Sequence, residues 1–79
     1  MIQAYVLLNC DMGTEESIIQ RLKDVNLVKE VYGTFGAYDV LAKLESQSSE
    51  ELNNVITTKI RHLENIRSTT TLLTVEGQG

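Results

Sequence analysis

The chain is 79 residues long, with seven Lys and Arg against eleven Asp and Glu, a formal net charge of −4, one Cys, one His and no Trp or Pro. That length makes one domain and excludes a second, and the lone Cys10 excludes an internal disulfide. One Cys and one His cannot supply the roughly four ligands of a structural zinc site, the scattered basic residues form no patch for direct nucleic-acid binding, and no apolar run approaches the roughly 20 residues of a membrane-crossing helix.

Ile2 to Asn9 reads as a strand. Its even positions Ile2, Ala4, Val6 and Leu8 are apolar, and Tyr5 and Leu7 add apolar character at odd positions, the pattern of a central strand. Asp11-Met12-Gly13-Thr14 is turn chemistry, with Thr14 as N-cap and Glu15 and Glu16 in the first helical turn, where the dipole favours negative charge. Ile18, Ile19, Leu22 and Val25 then share a helical face, and Asn26 is expected to end the helix. Leu27 to Thr34 reads as a second strand. Thr34-Phe35-Gly36-Ala37 is a short glycine-containing hairpin link to a third, Tyr38 to Glu45, in which Tyr38, Val40, Ala42 and Leu44 share one face. Ser48 and Glu51 form a capping box, and the helix they open carries Leu52, Val55, Ile56, Ile60 and Leu63 on one side. After Glu64-Asn65, Ile66 to Glu76 reads as the last strand, with Thr69, Thr70, Thr71 and Thr74 supplying β-branched character. Residues 1–76 thus form the domain and 77–79 a disordered tail.

The order β-α-β-β-α-β predicts an α+β, ferredoxin-like fold, an antiparallel four-stranded sheet with two helices on one face. The other face then has no cover, although Leu7 and Leu41 point away from Val6 and Val40. A domain this short buries only about 60–65% of the surface its unfolded chain exposes. With disulfides and metals excluded, self-association remains. The reading predicts a face-to-face homodimer, an isologous arrangement that closes a dimeric α/β barrel. A single Cys and the lack of a signal-like h-region predict a cytoplasmic setting, and Met1 leading straight into a strand predicts a complete or nearly complete gene product.

Catalytic chemistry is thin. His62, near a helix C-terminus, reads as a dipole complement rather than a base. Cys10 has no neighbouring cation to activate it and reads as a small buried apolar residue. Gly33-Thr34-Phe35-Gly36 lacks the lysine and following helix of a phosphate-binding loop. No metal-ligand spacing and no cofactor motif is present, so the chain reads as a non-enzyme. Two segments remain. Gly36, Ala37, Tyr38 and Asp39 offer a turn whose amides a ligand can approach, followed by a carboxylate. Ser68, Thr69, Thr70 and Thr71 offer hydroxyls. Together they suit a zwitterion, although, taken alone, an ordinary hairpin turn and a threonine-rich strand are the favoured account of them.

The stretch Val31-Tyr32-Gly33-Thr34-Phe35-Gly36-Ala37-Tyr38-Asp39-Val40-Leu41 resembles the G-x-Y-D segment of the effector domain of Lrp/AsnC-type transcription regulators. Thr58 to Leu73, with Ile66-Arg67-Ser68-Thr69-Thr70-Thr71, resembles that domain's second helix and its I-x-S-T-x-T strand. The resemblance covers nearly the whole chain and implies a regulator of amino-acid metabolism (RAM) domain. It implies dimers that commonly assemble into octameric rings and bind an amino acid or similar small effector between them. Carried over by motif, the ligand contacts are Gly36, Ala37, Tyr38, Asp39, Ser68, Thr69 and Thr71. The family's regulators also carry a helix-turn-helix domain that these 79 residues lack. The resemblance is therefore to stand-alone RAM proteins, with output through hetero-assembly with full-length Lrp/AsnC regulators and without direct nucleic-acid or membrane binding. Two other functions share the element order: a small dimeric α+β barrel enzyme of cofactor-free monooxygenase or isomerase type, and an ACT-like amino-acid-binding module. The G-x-Y-D and S-T-x-T segments favour RAM over ACT.

Overall fold

The computed structural model describes residues 1–74. Its elements are β1 (Ile2–Cys10), α1 (Glu15–Lys23), β2 (Val28–Gly33), β3 (Val40–Ser46), α2 (Ser49–Val55), a π-helical turn that continues α2 (Ile56–Ile60), and β4 (Ile66–Thr74). This is the ferredoxin-like βαββαβ order. Val75 and Glu76 of the expected last strand, and the expected tail at 77–79, lie outside the described residues. The four strands form one sheet in the order β2-β3-β1-β4, every neighbouring pair antiparallel.

Alternation decides which side chains are buried. Ala4, Val6, Leu8 and Cys10 of β1 and Val40, Ala42 and Leu44 of β3 point to one face, where they meet Ile18 and Leu22 of α1 and Leu52, Ile56 and Ile60 of the second helical segment. Each such side chain, fully withdrawn from water, contributes about 1.5–3 kcal/mol at the size of Val, Leu or Ile. The opposite face carries Tyr5 and Leu7 of β1, Leu41 of β3, Tyr32 of β2 and Leu72 of β4, set by the pairings Leu7–Leu41, Tyr5–Leu72 and Tyr32–Leu41. None of these belongs to the core, and Leu72 is 54% exposed.

Local chemistry sets the element ends. Thr14 occupies the expected N-cap position of α1, but its hydroxyl does not cap; it donates to the Asp11 carbonyl (2.6 Å) and closes the turn instead. α1 stops at Lys23, earlier than expected, and the chain turns through Leu27 at φ +82°. The Glu45 N–H donates to the Leu27 carbonyl (3.1 Å) and holds that turn against β3. Ser48 caps α2 as expected, accepting the Glu51 N–H at 3.2 Å. The reciprocal half of the box is rerouted: the Ser48 N–H donates to the buried Ser46 hydroxyl oxygen (3.1 Å), and that hydroxyl donates to the Glu51 carboxylate. Thr57 and Thr58 donate to the carbonyls of Asn53 and Asn54, both at 2.7 Å. Such back-bonding competes with the helix ladder, and here the Arg61 N–H reaches five residues back to Ile56 (3.0 Å).

The third strand begins at Val40, not at Tyr38. The Thr34 N–H donates to the Asp39 carbonyl (2.9 Å) and the Thr34 hydroxyl to the Tyr38 carbonyl (2.7 Å), so residues 34–39 form a closed loop. Gly36, at φ +116°, takes the backbone turn that a side chain would resist. Tyr38 therefore leaves the alternation with Val40 and Ala42. Its hydroxyl lies 3.4 Å from Thr70 Oγ1, on the uncovered face.

Replacing Ser48 by Ala removes the side-chain acceptor of the Glu51 N–H in the first turn of α2; we expect a loss of about 1 kcal/mol of stability. An unchanged urea midpoint for Ser48→Ala would show that the cap contributes nothing.

Candidate functional site

The site grows from one irregularity in the sheet. β4 pairs with β1 so that Ser68 lies opposite Asn9, while Ile66 lies opposite Cys10. Arg67 is the extra residue between them, a β-bulge. A bulge bends its strand and re-aims a side chain, and here it sends Arg67 to the end of the sheet. Asn65, at φ +72°, makes the tight entry into β4, and its carbonyl accepts the Asp11 N–H at 2.9 Å.

The same end of the sheet receives Asp39. Its N–H donates to the Leu8 carbonyl (2.9 Å), which fixes the backbone beside β1. Its carboxylate oxygen Oδ2 accepts the Cys10 N–H at 3.0 Å. Asp39 thus satisfies a backbone donor at the bulge and leaves its second oxygen available.

Two adjoining concavities open here and share Cys10, Asp39 and Arg67. One, of about 380 Å³, adds Asn9 and Ser68 on the uncovered-face side; the other, of about 370 Å³, adds Met12 and Glu15 on the side of α1. Across the first, the Asn9 amide donates to the Ser68 hydroxyl oxygen at 3.2 Å. Arg67 makes no ion pair within 4.0 Å among the described residues, where the pairs are those of Lys43. A free guanidinium beside a half-used carboxylate can take the two ends of a zwitterion, the guanidinium with two parallel N–H donors. A larger concavity, about 470 Å³, runs along the outer side of α2 past Asn53, Asn54, Thr57 and Thr58; Glu50 and Glu51 charge it and it has no cation.

The sequence-derived residues divide. Asp39 and Ser68 line the notch. Gly36 and Ala37 are exposed at the hairpin, and Tyr38 lies against Thr70. Thr69 and Thr71 stand opposite Leu8 and Val6, so their side chains face the helix layer, and the Thr71 hydroxyl is enclosed with no partner. Arg67 and Asn9 were not singled out by the sequence, and Glu15 was read there only as a dipole partner in the first turn of its helix. Cys10 is buried, 6% exposed, and His62 is exposed in the turn after the π-helical segment. Among the described residues no group of three or more His, Cys, Asp or Glu could hold a metal, and no helix is long and apolar enough to cross a membrane.

The uncovered face carries its own charge network. Lys43 Nζ lies 3.5 Å from carboxylate oxygens of both Glu30 and Glu45, Gln3 donates to Glu45 (3.2 Å), and the Tyr32 hydroxyl donates to Glu30 (2.8 Å). The Tyr32 hydrogen bond, aided by the Lys43 charge, holds the Glu30 carboxyl below its ordinary range, and the same bond raises the Tyr32 phenol. Desolvation opposes the Lys43 cation, but Tyr5 and Glu30 outweigh it and raise its pKa.

The family model of the Lrp/AsnC ligand binding domain matches residues 3–77. Homocitrate synthase of Saccharolobus islandicus is 38% identical over 76 residues, which are 95% of this chain and 16% of that protein. Regulatory protein AsnC of Haemophilus influenzae is 34% identical over 61 residues, 77% of this chain and 41% of that one. The chain therefore spans well under half the length of these relatives. The solved structure of TTHA0845 from Thermus thermophilus superposes with a TM-score of 0.91 at 32% identity, covering 100% of this chain and 99% of that one.

Asp39→Ala leaves the part-buried Cys10 N–H without an acceptor, and we expect it to cost about 1–3 kcal/mol. Asp39→Asn keeps an acceptor oxygen and should retain most of that stability in a urea melt. Equal losses for the two variants would show that the charge, not the hydrogen bond, is what the fold uses.

Proposed function

The chain belongs to the Lrp/AsnC ligand-binding-domain family, and we propose that it is a regulatory binding module for an amino acid or close analogue, held in the notch at the bulged end of the sheet. The observation that carries this is the pairing of an unbridged Arg67 with the open oxygen of Asp39 in one concavity. Arg67 takes the ligand carboxylate, with the Ser68 hydroxyl and Asn9 amide beside it. Asp39 takes the ammonium. The volume, about 380 Å³, falls in the range of small-molecule sites. The Gly36, Ala37 and Tyr38 hairpin borders this end and supplies backbone donors. Thr69 and Thr71 support the strand from its helix side rather than contacting ligand through their hydroxyls. On this reading the module binds and reports rather than catalyses, in keeping with its regulatory family.

Assembly is the means of reporting. A second copy covers the strip of Tyr5, Leu7, Leu41 and Leu72, face to face, with the Lys43 network at its margin fixing register. Further assembly of dimers to octamers, and mixed assembly with full-length Lrp/AsnC regulators, use surfaces of the same module in a cytoplasmic setting. The 76-residue likeness within a much longer homocitrate synthase fits a module that passes effector binding to whatever domain is attached to it.

A thermal-shift screen of the standard amino acids tests the binding function. Ligand at 100 times its Kd should add about 2.7 kcal/mol of stability, and Arg67→Ala should remove the shift. No shift with any amino acid would sink the assignment. For assembly, Leu41→Asp puts a charge opposite Leu7 on the uncovered face. We expect sedimentation to show a dimer for the native chain and a smaller species for the variant; a monomeric native chain would overturn the proposed pairing.

A further inference from the structure

All three tyrosines of the chain lie on the uncovered face. Strand alternation puts Tyr5 and Tyr32 there. Tyr38 arrives differently, from the closed loop before β3. Its backbone is fixed on both sides: the Tyr38 carbonyl accepts the Thr34 hydroxyl (2.7 Å), and the next N–H, that of Asp39, donates to the Leu8 carbonyl (2.9 Å). From this anchor the side chain travels far. β1 separates β3 from β4, so Thr70 on β4 is two strands from the line of β3, about 9–10 Å at ordinary strand spacing. The phenol oxygen nevertheless comes within 3.4 Å of Thr70 Oγ1, and it does so only by laying its ring across β1.

On this face β1 presents Leu7, opposite Thr70, and Asn9, opposite Ser68. The ring therefore lies on the boundary between the apolar strip, to which Leu7 belongs, and the notch, which Asn9 and Ser68 line. One peptide bond away stands Asp39, the notch carboxylate. The ring is placed but not clamped. A separation of 3.4 Å exceeds the roughly 2.7–2.8 Å of an ordinary hydroxyl–hydroxyl hydrogen bond, and the residue is half-buried. A tyrosine ring has an apolar body and a wet tip and few torsions to fix, which suits it to be ordered by a protein partner. A copy laid on Leu7 and Leu72 covers it too, since it lies over the same strand.

Resting on the pairing of two copies over this face, we propose that Tyr38 is the positioning residue through which pairing orders the notch. Closure of the partner fixes the ring over β1. The fixed ring holds Asn9 beside Ser68 on one side and the Asp39 peptide against Leu8 on the other, so the notch is better formed in the pair than in the single copy. Amide hydrogen exchange of the full chain across a dilution series, with sedimentation at each concentration, tests this without any ligand. The reporters are the N–H groups of Cys10 and Asp39, measured relative to the Leu52 N–H, which bonds to Ser48 in α2 away from this face. Their relative protection should rise about fivefold or more on pairing, the low end of ordinary coupling between sites. Tyr38→Phe, which keeps the ring, should keep the rise. Tyr38→Leu should still pair and lose most of it, whereas a merely structural role would lower protection equally at every concentration. A native pair without the rise, a Tyr38→Phe pair that loses it, a Tyr38→Leu pair that keeps it, an equal loss at every concentration, or a Tyr38→Leu chain that no longer pairs overturns this inference and leaves the pairing standing. A native chain that is monomeric throughout removes both.

Discussion

A sheet whose two central strands are apolar on both sides, with helices enough to cover one of them, is the constraint on which this structure rests. Val6 and Leu8 are removed from water by α1 and the second helical segment, while Leu7, the residue between them, is not. Strand alternation allows no way around this. Moving Leu7 inward by a register slip would carry Val6 and Leu8 outward. Among the described residues no further element covers the second face. The Lys43 network with Glu30 and Glu45 bears on the same problem. It keeps part of the face hydrated and directional, where uninterrupted hydrophobe would be indiscriminately adhesive.

The bulge at Arg67 is the second determinant, and it follows from a conflict over alternation. Thr69 and Thr71 lie on the helix side, opposite Leu8 and Val6, and Ile66 lies opposite the inward-facing Cys10. Residues 66 and 69 cannot share a face in a regular strand, so one extra residue must be absorbed between them. Absorbing it turns Arg67 out of the ladder and displaces the usual partner of the Cys10 N–H. The Asp39 carboxylate takes that donor. One irregularity therefore brings a cation and an anion to the same end of the sheet, and ties both to the backbone of β1.

The element order and the core were legible because burial follows period: Ala4, Val6 and Leu8 alternate, Ile18 and Leu22 lie one turn apart, and Ser48 announces its helix. Capping details were less so. Thr14 and Ser48 both read as N-caps, yet the Thr14 hydroxyl turns back to the Asp11 carbonyl of the preceding turn while Ser48, which has Glu51 at N3, caps its helix. Asp39 and Ser68, singled out through their motif, both line the candidate notch. Arg67 was not singled out, because a motif written I-x-S-T-x-T treats it as a spacer in a regular strand. The three-residue interval between inward Ile66 and inward Thr69 was the available signal. Tyr38 was assigned to the wrong face for a related reason: parity counted back from Val40 holds only if the strand continues, and the Thr34 bonds end it first.

β4 connects the two surfaces that matter. Along its length Ser68 lines the notch, Thr70 lies under Tyr38, and Leu72 stands in the uncovered strip, all on one side of the strand. Whatever fixes one end of that row fixes the others, since each is set by the same pairing to Asn9, Leu7 and Tyr5. A ligand that orders Ser68 and Arg67 acts on the element that a partner copy must meet at Leu72. Linkage then requires reciprocity: the free energy by which assembly improves the notch for a ligand is the free energy by which the ligand favours assembly. In the proposed module such coupling needs no separate signalling segment: the same strand would carry both the ligand contacts and the assembly face.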